Sequence, residues 1–329
     1  MIKPFKTTAD SLRRYISFNY GIYYSVVLGL FICISLSLFT SKSLFAEDKK
    51  KVIILNSDMS IYKYSLAHTE FKSKIIEQVC EIDLGSKWTD ETKIANIIYE
   101  EDPKVIYSIG SKAYILAHKL AKDKKLIFAL VINWRRFPMD ENTYGITSEL
   151  PQDMQLMMYR YLFPEINKIG VLYSKAYHKE WLDTAIESGK DVKIDIIGSP
   201  LSKSGDIGRA LKELLPKIDA LWLIPDPIVI NEIKSVKKIF KQSEVSMKPV
   251  LAYDKVFVNF GATLVISADV STMAKQAAGL TLDILADQKI AERIQNPAGT
   301  HIILNMKKVK EYGINLNIDA LDSVNEIIK

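Results

Sequence analysis

The sequence predicts an α/β protein of two Rossmann-like lobes, each a parallel sheet flanked by helices, joined by a hinge that the chain crosses more than once. Three observations carry this. Short apolar runs rich in β-branched residues alternate with longer stretches of helical period, the pattern of parallel α/β units. The order of those units in the first half is echoed in the second. The chain has 329 residues, 48% hydrophobic and 25% charged, which is material for two domains of ordinary size.

The predicted strands, in order, are Val52 to Asn56, Val105 to Ile109, Leu126 to Ile132, Ile169 to Tyr173, Val192 to Ile197, Ala220 to Ile224, Val250 to Tyr253 and Leu264 to Ser267. Helices are predicted between them. Ile207, Ala210, Leu211, Leu214 and Leu215 recur at the spacing that makes one buried helical stripe. Met273, Ala277, Leu280 and Ile284 form another, with Asp269 as its expected N-cap. The echo is legible in segments. Lys51 to Ser57 matches Lys168 to Ser174, Val105 to Ser111 matches Leu221 to Pro227, and Lys125 to Ala129 matches Lys248 to Ala252.

The expected division is a leader at 1–46, a first lobe at 51–146 completed by about 255–298, and a second lobe at 147–254 completed by about 299–329. Tyr144-Gly145-Ile146-Thr147 is the expected first crossing, and Asn296-Pro297-Ala298-Gly299 the last. Leu264 to Ser267 and the helix after it are expected to return to the first lobe as a sixth strand and closing helix. Parallel sheets with right-handed crossovers bind ligands beyond the carboxyl ends of their strands, so two facing lobes define a cleft.

The leader reads as an export signal. Basic residues precede the 17-residue apolar run Tyr23 to Phe39, and Thr40 to Ala46 precede the charged Glu47-Asp48-Lys49. Cleavage is expected after Ala46, with an uncleaved membrane anchor as the alternative. Cys33 lies in the apolar run without the small neighbours of a lipid-anchored cysteine. Cutting the leader leaves Cys80 as the single cysteine, expected in the core at the end of a helix, and excludes an internal disulfide or a cysteine metal cluster. The formal charge of +5 is concentrated in that leader, where Lys3, Lys6, Arg13, Arg14 and Lys42 against Asp10 supply about four of it. The near-neutral remainder argues against a nucleic-acid binder.

Motifs for chemistry are scarce. There is no G-x-G-x-x-G after the first strand, no phosphate-cradling G-x-x-x-x-G-K-[ST], no H-E-x-x-H and no G-x-S-x-G elbow. The four histidines, His68, His118, His178 and His301, have no mutual spacing suited to a metal, so each is read as structural or solvated. Neither a metal nor a cofactor is expected. Glu100-Glu101-Asp102 reads as a solvated helix end, and Lys234, Lys237, Lys238 and Lys241 as the wet face of a helix.

Several segments, taken in order, resemble the tryptophan/tyrosine-binding kind of periplasmic substrate-binding proteins of ABC transporters, which have the type I periplasmic-binding fold. They are the opening strand with Asn56-Ser57-Asp58, Ile109-Gly110-Ser111, Gly145-Ile146-Thr147-Ser148 before Pro151, and Pro164 through Tyr173. Asp219 through Pro227, and Ile303-Leu304-Asn305 through Leu316, complete the set. The likeness covers essentially the whole chain after the leader.

The resemblance implies a monomeric, extracytoplasmic receptor that captures a small solute, an amino acid or related compound, and docks on an ABC permease in the inner membrane. The alternatives are a sensory or accessory binding protein of the same fold and, from another class, an exported α/β enzyme. Helix N-termini at the cleft carry unpaired N–H groups able to bind a carboxylate. Ser57, Gly110 with Ser111, and Ser174 stand at such strand-to-helix junctions. Asp58, Asp226 and Asp254 are candidates for a ligand amine, Asp226 equally for a helix cap before Pro227. Asn133 and Trp134, with Tyr62 and Tyr253, offer polar and flat apolar contacts for a ring-bearing or aliphatic ligand. Ile132-Asn133-Trp134-Arg135-Arg136-Phe137-Pro138 departs from the family pattern, which has a small polar residue and Asp-Pro there. With Arg135 or Arg136 at the pocket wall, an acidic solute becomes a competing expectation.

Overall fold

The computed structural model describes residues 51–86 and 90–329. The leader, its cleavage at Ala46 and Cys33 lie outside the described residues. Among those described, no helix is long and apolar enough to cross a membrane.

The chain runs β1 (Val52–Asn56), α1 (Tyr62–Lys72), β2 (Val79–Asp83), α2 (Glu91–Glu101), β3 (Val105–Ile109), α3 (Ser111–Leu120), β4 (Lys125–Ala129), β5 (Thr143–Ile146) and α4 (Gln152–Leu162). It continues with β6 (Lys168–Ser174), α5 (Lys175–Asp191), β7 (Asp195–Leu201), α6 (Ile207–Leu214), β8 (Ala220–Trp222), α7 (Ile233–Val245), β9 (Val250–Ala252) and β10 (Leu264–Ala268). Then come α8 (Val270–Leu285), β11 (Ile294–Gln295), β12 (Thr300–Asn305), α9 (Met306–Glu311) and β13 (Glu326–Ile328).

The strands form two sheets, β11-β5-β4-β3-β1-β2 and β13-β12-β10-β9-β8-β6-β7. Each contains the same run, β2-β1-β3-β4-β5 in one and β7-β6-β8-β9-β10 in the other, so the echo in the sequence is an echo in topology. The first sheet is wholly parallel; in the second, β12 runs antiparallel to β10. Period-two alternation explains why the strands read as continuous apolar runs. On β1, Val52 and Ile54 enter the core of one face while Ile53 and Leu55 enter the other, and all four are fully buried. In the second sheet Leu264 and Ile266 of β10 face one core and Val265 the other.

Helix starts follow their caps. Asp90, Asp269 and Asn305 accept backbone N–H groups of Lys93, Thr272 and Lys308 at α2, α8 and α9. Both helical stripes read from the sequence are buried, Ile207 to Leu215 beneath the second sheet and Met273 to Ile284 against the first. On α7 the stripe Val236, Ile239 and Phe240 is buried, leaving Lys234, Lys237, Lys238 and Lys241 in solvent. Glu101 ends α2, and Asp102 stops it in the left-handed conformation at φ +46°.

Two expectations are corrected. Leu264 to Ser267 does not join the first sheet: β10 pairs with β9 and β12, and the return comes with α8, which starts at Val270 and packs on the first lobe. A buried apolar strand fits beside β5 as well as beside β9, so sequence could not choose its sheet. Cys80 is not at a helix end but on edge strand β2, half-buried. Its segment Val79–Asp83 was missed because alternating Cys80, Glu81, Ile82 and Asp83 put polar groups on an edge strand. Predicted ends drifted most where a strand runs into its loop, as in Leu126 to Ile132, which stops at Ala129 before Leu130 turns to φ +57°.

Candidate cleft between the lobes

The chain passes between the sheets after β5, after β10 and after β11. These passages set the carboxyl ends of the two parallel sheets against each other, where crossover geometry expects a ligand. A cavity of about 380 Å³ lies there. Its walls are the start of α1 and the loops after β4 and β5 on one side, and the loops after β8 and β9, the end of β10 with the start of α8, His301 of β12 and Glu326 of β13 on the other. Tyr62, Leu66, Leu130, Val131, Ile132, Tyr253 and Val270 supply the apolar and aromatic lining.

Charge at the wall is mostly paired within the protein. Lys63 Nζ stands 3.2 Å from Asp254 Oδ2 across the cleft, and Lys255 Nζ donates to Glu326 at 2.7 Å. Arg135 pairs with Glu149, and its guanidinium lies 4.4 Å from the centre of the Trp134 ring. Arg136 lies over Tyr177 of the second lobe at 5.3 Å. Both arginines are thus engaged within the protein, and neither lines the cavity. Asp269 spends its carboxylate on Thr272 at the start of α8.

A smaller annex of about 40 Å³ adjoins the cavity, sharing Ser148, Glu149, Pro225 and Tyr253 with it and bounded further by His178, Trp181 and Trp222. Behind His178 sits Asp226, with no solvent exposure. Its Oδ2 accepts the Ser174 N–H at 2.8 Å, the Ser174 hydroxyl at 2.7 Å and the His178 Nδ1–H at 2.8 Å. Its Oδ1 accepts the N–H groups of Ile228 and Val229. Burial alone would raise this carboxyl; the hydrogen bonds from His178, Ser174 and Ile228 outweigh it and hold the group at about 2.

Of the residues expected to touch a ligand, the fold brings four to the cavity: Tyr62, Asn133, Tyr253 and Asp254. Asn133 turns the chain at φ +53°. Tyr253 rests edge-on against Phe257 at 5.1 Å, and Asp254 also caps the following turn through Val256 N–H. The others lie outside the wall of this cavity and make contacts within the fold. Ser57 Oγ accepts the Ala113 N–H at 3.0 Å, supplying the cap that Gly110 cannot, and Ser111 opens α3 outside the cavity. Asp58 folds back on Ser60, whose hydroxyl and N–H hold its carboxyl low. Ser174 donates to Asp226, which also accepts the Val229 N–H, as the cap reading of Asp226 expects. Trp134 turns to the first-lobe core, 6.1 Å from Phe128 ring to ring, and is absent from the cavity wall.

Sequence reasoning missed Lys63, Ser148 and Glu149. Ser148 stood inside a recognised motif, but nothing local marks its hydroxyl, which is buried with no hydrogen-bond partner. The histidines do each face a carboxylate: His68 Glu81, His118 Asp140, His178 Asp226 and His301 Glu326. Among the described residues, no group of His, Cys, Asp and Glu is placed to hold a metal ion.

Known proteins supply the frame for this geometry. The sequence profile of ABC transporter substrate binding proteins matches residues 67–328. The tyrosine-binding protein of Clostridioides difficile (strain R20291) is 22% identical over 231 residues, 66% of this chain and 65% of that relative, just under two thirds of its length. The ligand-free, open structure of a substrate binding protein with adhesive properties from Clostridium difficile aligns with a TM-score of 0.67 at 17% identity, over 85% of this chain and 99% of that one. An ABC domain in complex with L-Trp from Streptococcus pneumonia aligns with a TM-score of 0.57 at 16% identity, over 84% and 100%. The shared fold is that of type I periplasmic binding proteins, and the family is one of binding proteins, not an enzyme class. With its profile matched from 67 to 328, the chain belongs to the ABC transporter substrate binding protein family.

Proposed function

We propose that the protein is an extracytoplasmic receptor that encloses an aromatic amino acid between its lobes and delivers it, as a monomer, to an ABC permease. One observation carries the reading: a cavity of about 380 Å³, lined from both lobes by aromatic and aliphatic side chains and rimmed by paired charges. That size falls in the range of small-molecule sites. A wall built from two lobes lets a ligand stabilise their closed arrangement, because only closure completes its contacts. The names of the similar proteins, one tyrosine-binding and one in complex with L-Trp, support the choice of amino acid. The basic and apolar leader supports export.

The test is a thermal-shift screen of the common amino acids followed by calorimetry. L-Tryptophan or L-tyrosine should raise the melting temperature, and mass spectrometry should recover the ligand unchanged. A ligand that is turned over points to an enzyme, and indifference to both aromatic amino acids overturns the choice of solute.

A further inference from the structure

The outer helices of the second lobe carry a basic face that the solute cavity does not use. On α7, Lys234, Lys238, Lys241 and Val245 recur at i, i+4, i+7 and i+11, which places them in one row opposite the buried stripe Val236, Ile239 and Phe240. Lys237 stands beside that row, and Lys212 of α6 joins Lys237, Lys238 and Lys241 around a groove of about 710 Å³ lined also by Leu211 and Leu215. All five lysines are exposed, and among the described residues none of them forms an ion pair. Two carboxylates near them in the chain are engaged elsewhere, Asp206 with Arg209 and Glu244 with Lys308. Glu213 and Glu232 do not line the groove. Aliphatic side chains stand out at both ends of the helix: Ile233 is 65% exposed at its start, Val245 79% at its end and Met247 53% just beyond.

We infer that this face of α6 and α7 rests on a bilayer surface rich in anionic phospholipid, with the lysines in the headgroup layer and Val245 and Met247 at its apolar boundary. The residue types choose a bilayer over other polyanions. An ammonium is a point charge that answers a diffuse anionic field, whereas one particular carboxylate or phosphate is best met by the fork of an arginine, and Arg209 of α6 is paired with Asp206. The exposed side chains of α6 and α7 include no aromatic ring on which a nucleic-acid base could stack, since Phe240 is buried. Aliphatic side chains that protrude beside lysines gain nothing in water and are stabilised at a headgroup boundary. The groove and the solute cavity share no lining residue, so lipid contact leaves the cavity open to a solute. The inference goes beyond the receptor reading and holds whichever solute is bound.

Lysine footprinting of the full chain tests it, because mass spectrometry reads each lysine separately whatever the leader does. Acetylation is compared on vesicles of phosphatidylcholine alone and on vesicles containing phosphatidylglycerol. The anionic vesicles should slow acetylation of Lys234, Lys237, Lys238 and Lys241 about five-fold, the factor that corresponds to one lysine's attraction to such a surface. High salt should restore the rate. Lys179 and Lys190 of α5, which packs on the opposite face of the second sheet, should react equally on both. The double variant Lys238→Glu, Lys241→Glu should lose the protection of Lys234 and melt as the unaltered protein does. Equal rates for the row on both vesicles overturn the inference, as does slowing of Lys179 and Lys190 to the same extent as the row. Protection by poly-L-glutamate but not by anionic vesicles also overturns it and makes the face a dock for an acidic protein. If the double variant does not fold, the footprint of the unaltered protein decides alone. A solute screen without a hit would strike the receptor reading and leave this footprint unchanged.

Discussion

Asp226 accepts five hydrogen bonds from four residues and so ties the end of β6, the start of α5 and the loop after β8 into one unit. Its folded value of about 2 lies below the ordinary 3.8, so the stability it contributes is fully present above about 4 and is lost as pH falls through about 2. Asp226→Asn should therefore lower stability by about 2 kcal/mol at pH 7. Between pH 4 and 2 its melting temperature should converge on that of the unaltered protein; a gap constant with pH would refute the ionised assignment. Gly110 makes a second single-residue point. It sits at φ +85°, and a Cβ there would come within 2.6 Å of Ser57 Oγ and 2.9 Å of the Tyr64 ring. Gly110→Ala should cost about 1–3 kcal/mol in urea denaturation, because it both strains the backbone and displaces the hydroxyl that caps α3.

Between elements, polar contacts beside the cleft join the lobes, among them Lys63 of α1 with Asp254 after β9, and Arg136 with Tyr177 of α5. Lys63 and Asp254 are each about a third exposed, so the pair adds under about 1 kcal/mol to stability. Its leverage is on geometry, since it bridges the two walls of the cavity. Lys63→Met should leave the denaturation midpoint nearly unchanged and enlarge the ligand-free radius of gyration in small-angle scattering at low salt. An unchanged radius would show that packing at the three crossings, and not this pair, holds the lobes together.

On the proposed reading, ligand capture and lobe closure of the whole molecule are one equilibrium, so whatever favours the closed form tightens binding. L-Tryptophan at a hundred times its Kd should add about 2.7 kcal/mol to stability. The same addition should reduce the radius of gyration. Calorimetric binding with no compaction would mean that the cavity fills without lobe movement. The sequence made much of this architecture legible because burial on both faces of a parallel sheet forces continuous apolar strands, and β1 and β3 were delimited to the residue. Edge strands such as β2 and the two-residue β11 carry no such signature.

By itself the sequence determined the alternation of strand and helix, the repeated half and the absence of nucleotide-binding motifs, because each is written in local period or spacing. It named Tyr62, Asn133, Tyr253 and Asp254 at strand ends, which the fold turns toward one cavity. Only the tertiary structure decided that β10 joins the second sheet, that Ser57, Ser174 and Asp226 meet partners within the fold, and that Trp134 faces the core. The physical reason is that a polar side chain at a helix start can serve the backbone or a ligand equally well. Which one it serves depends on partners more than fifty residues away, such as Ala113 for Ser57 and Ser174 for Asp226, and no local pattern records them.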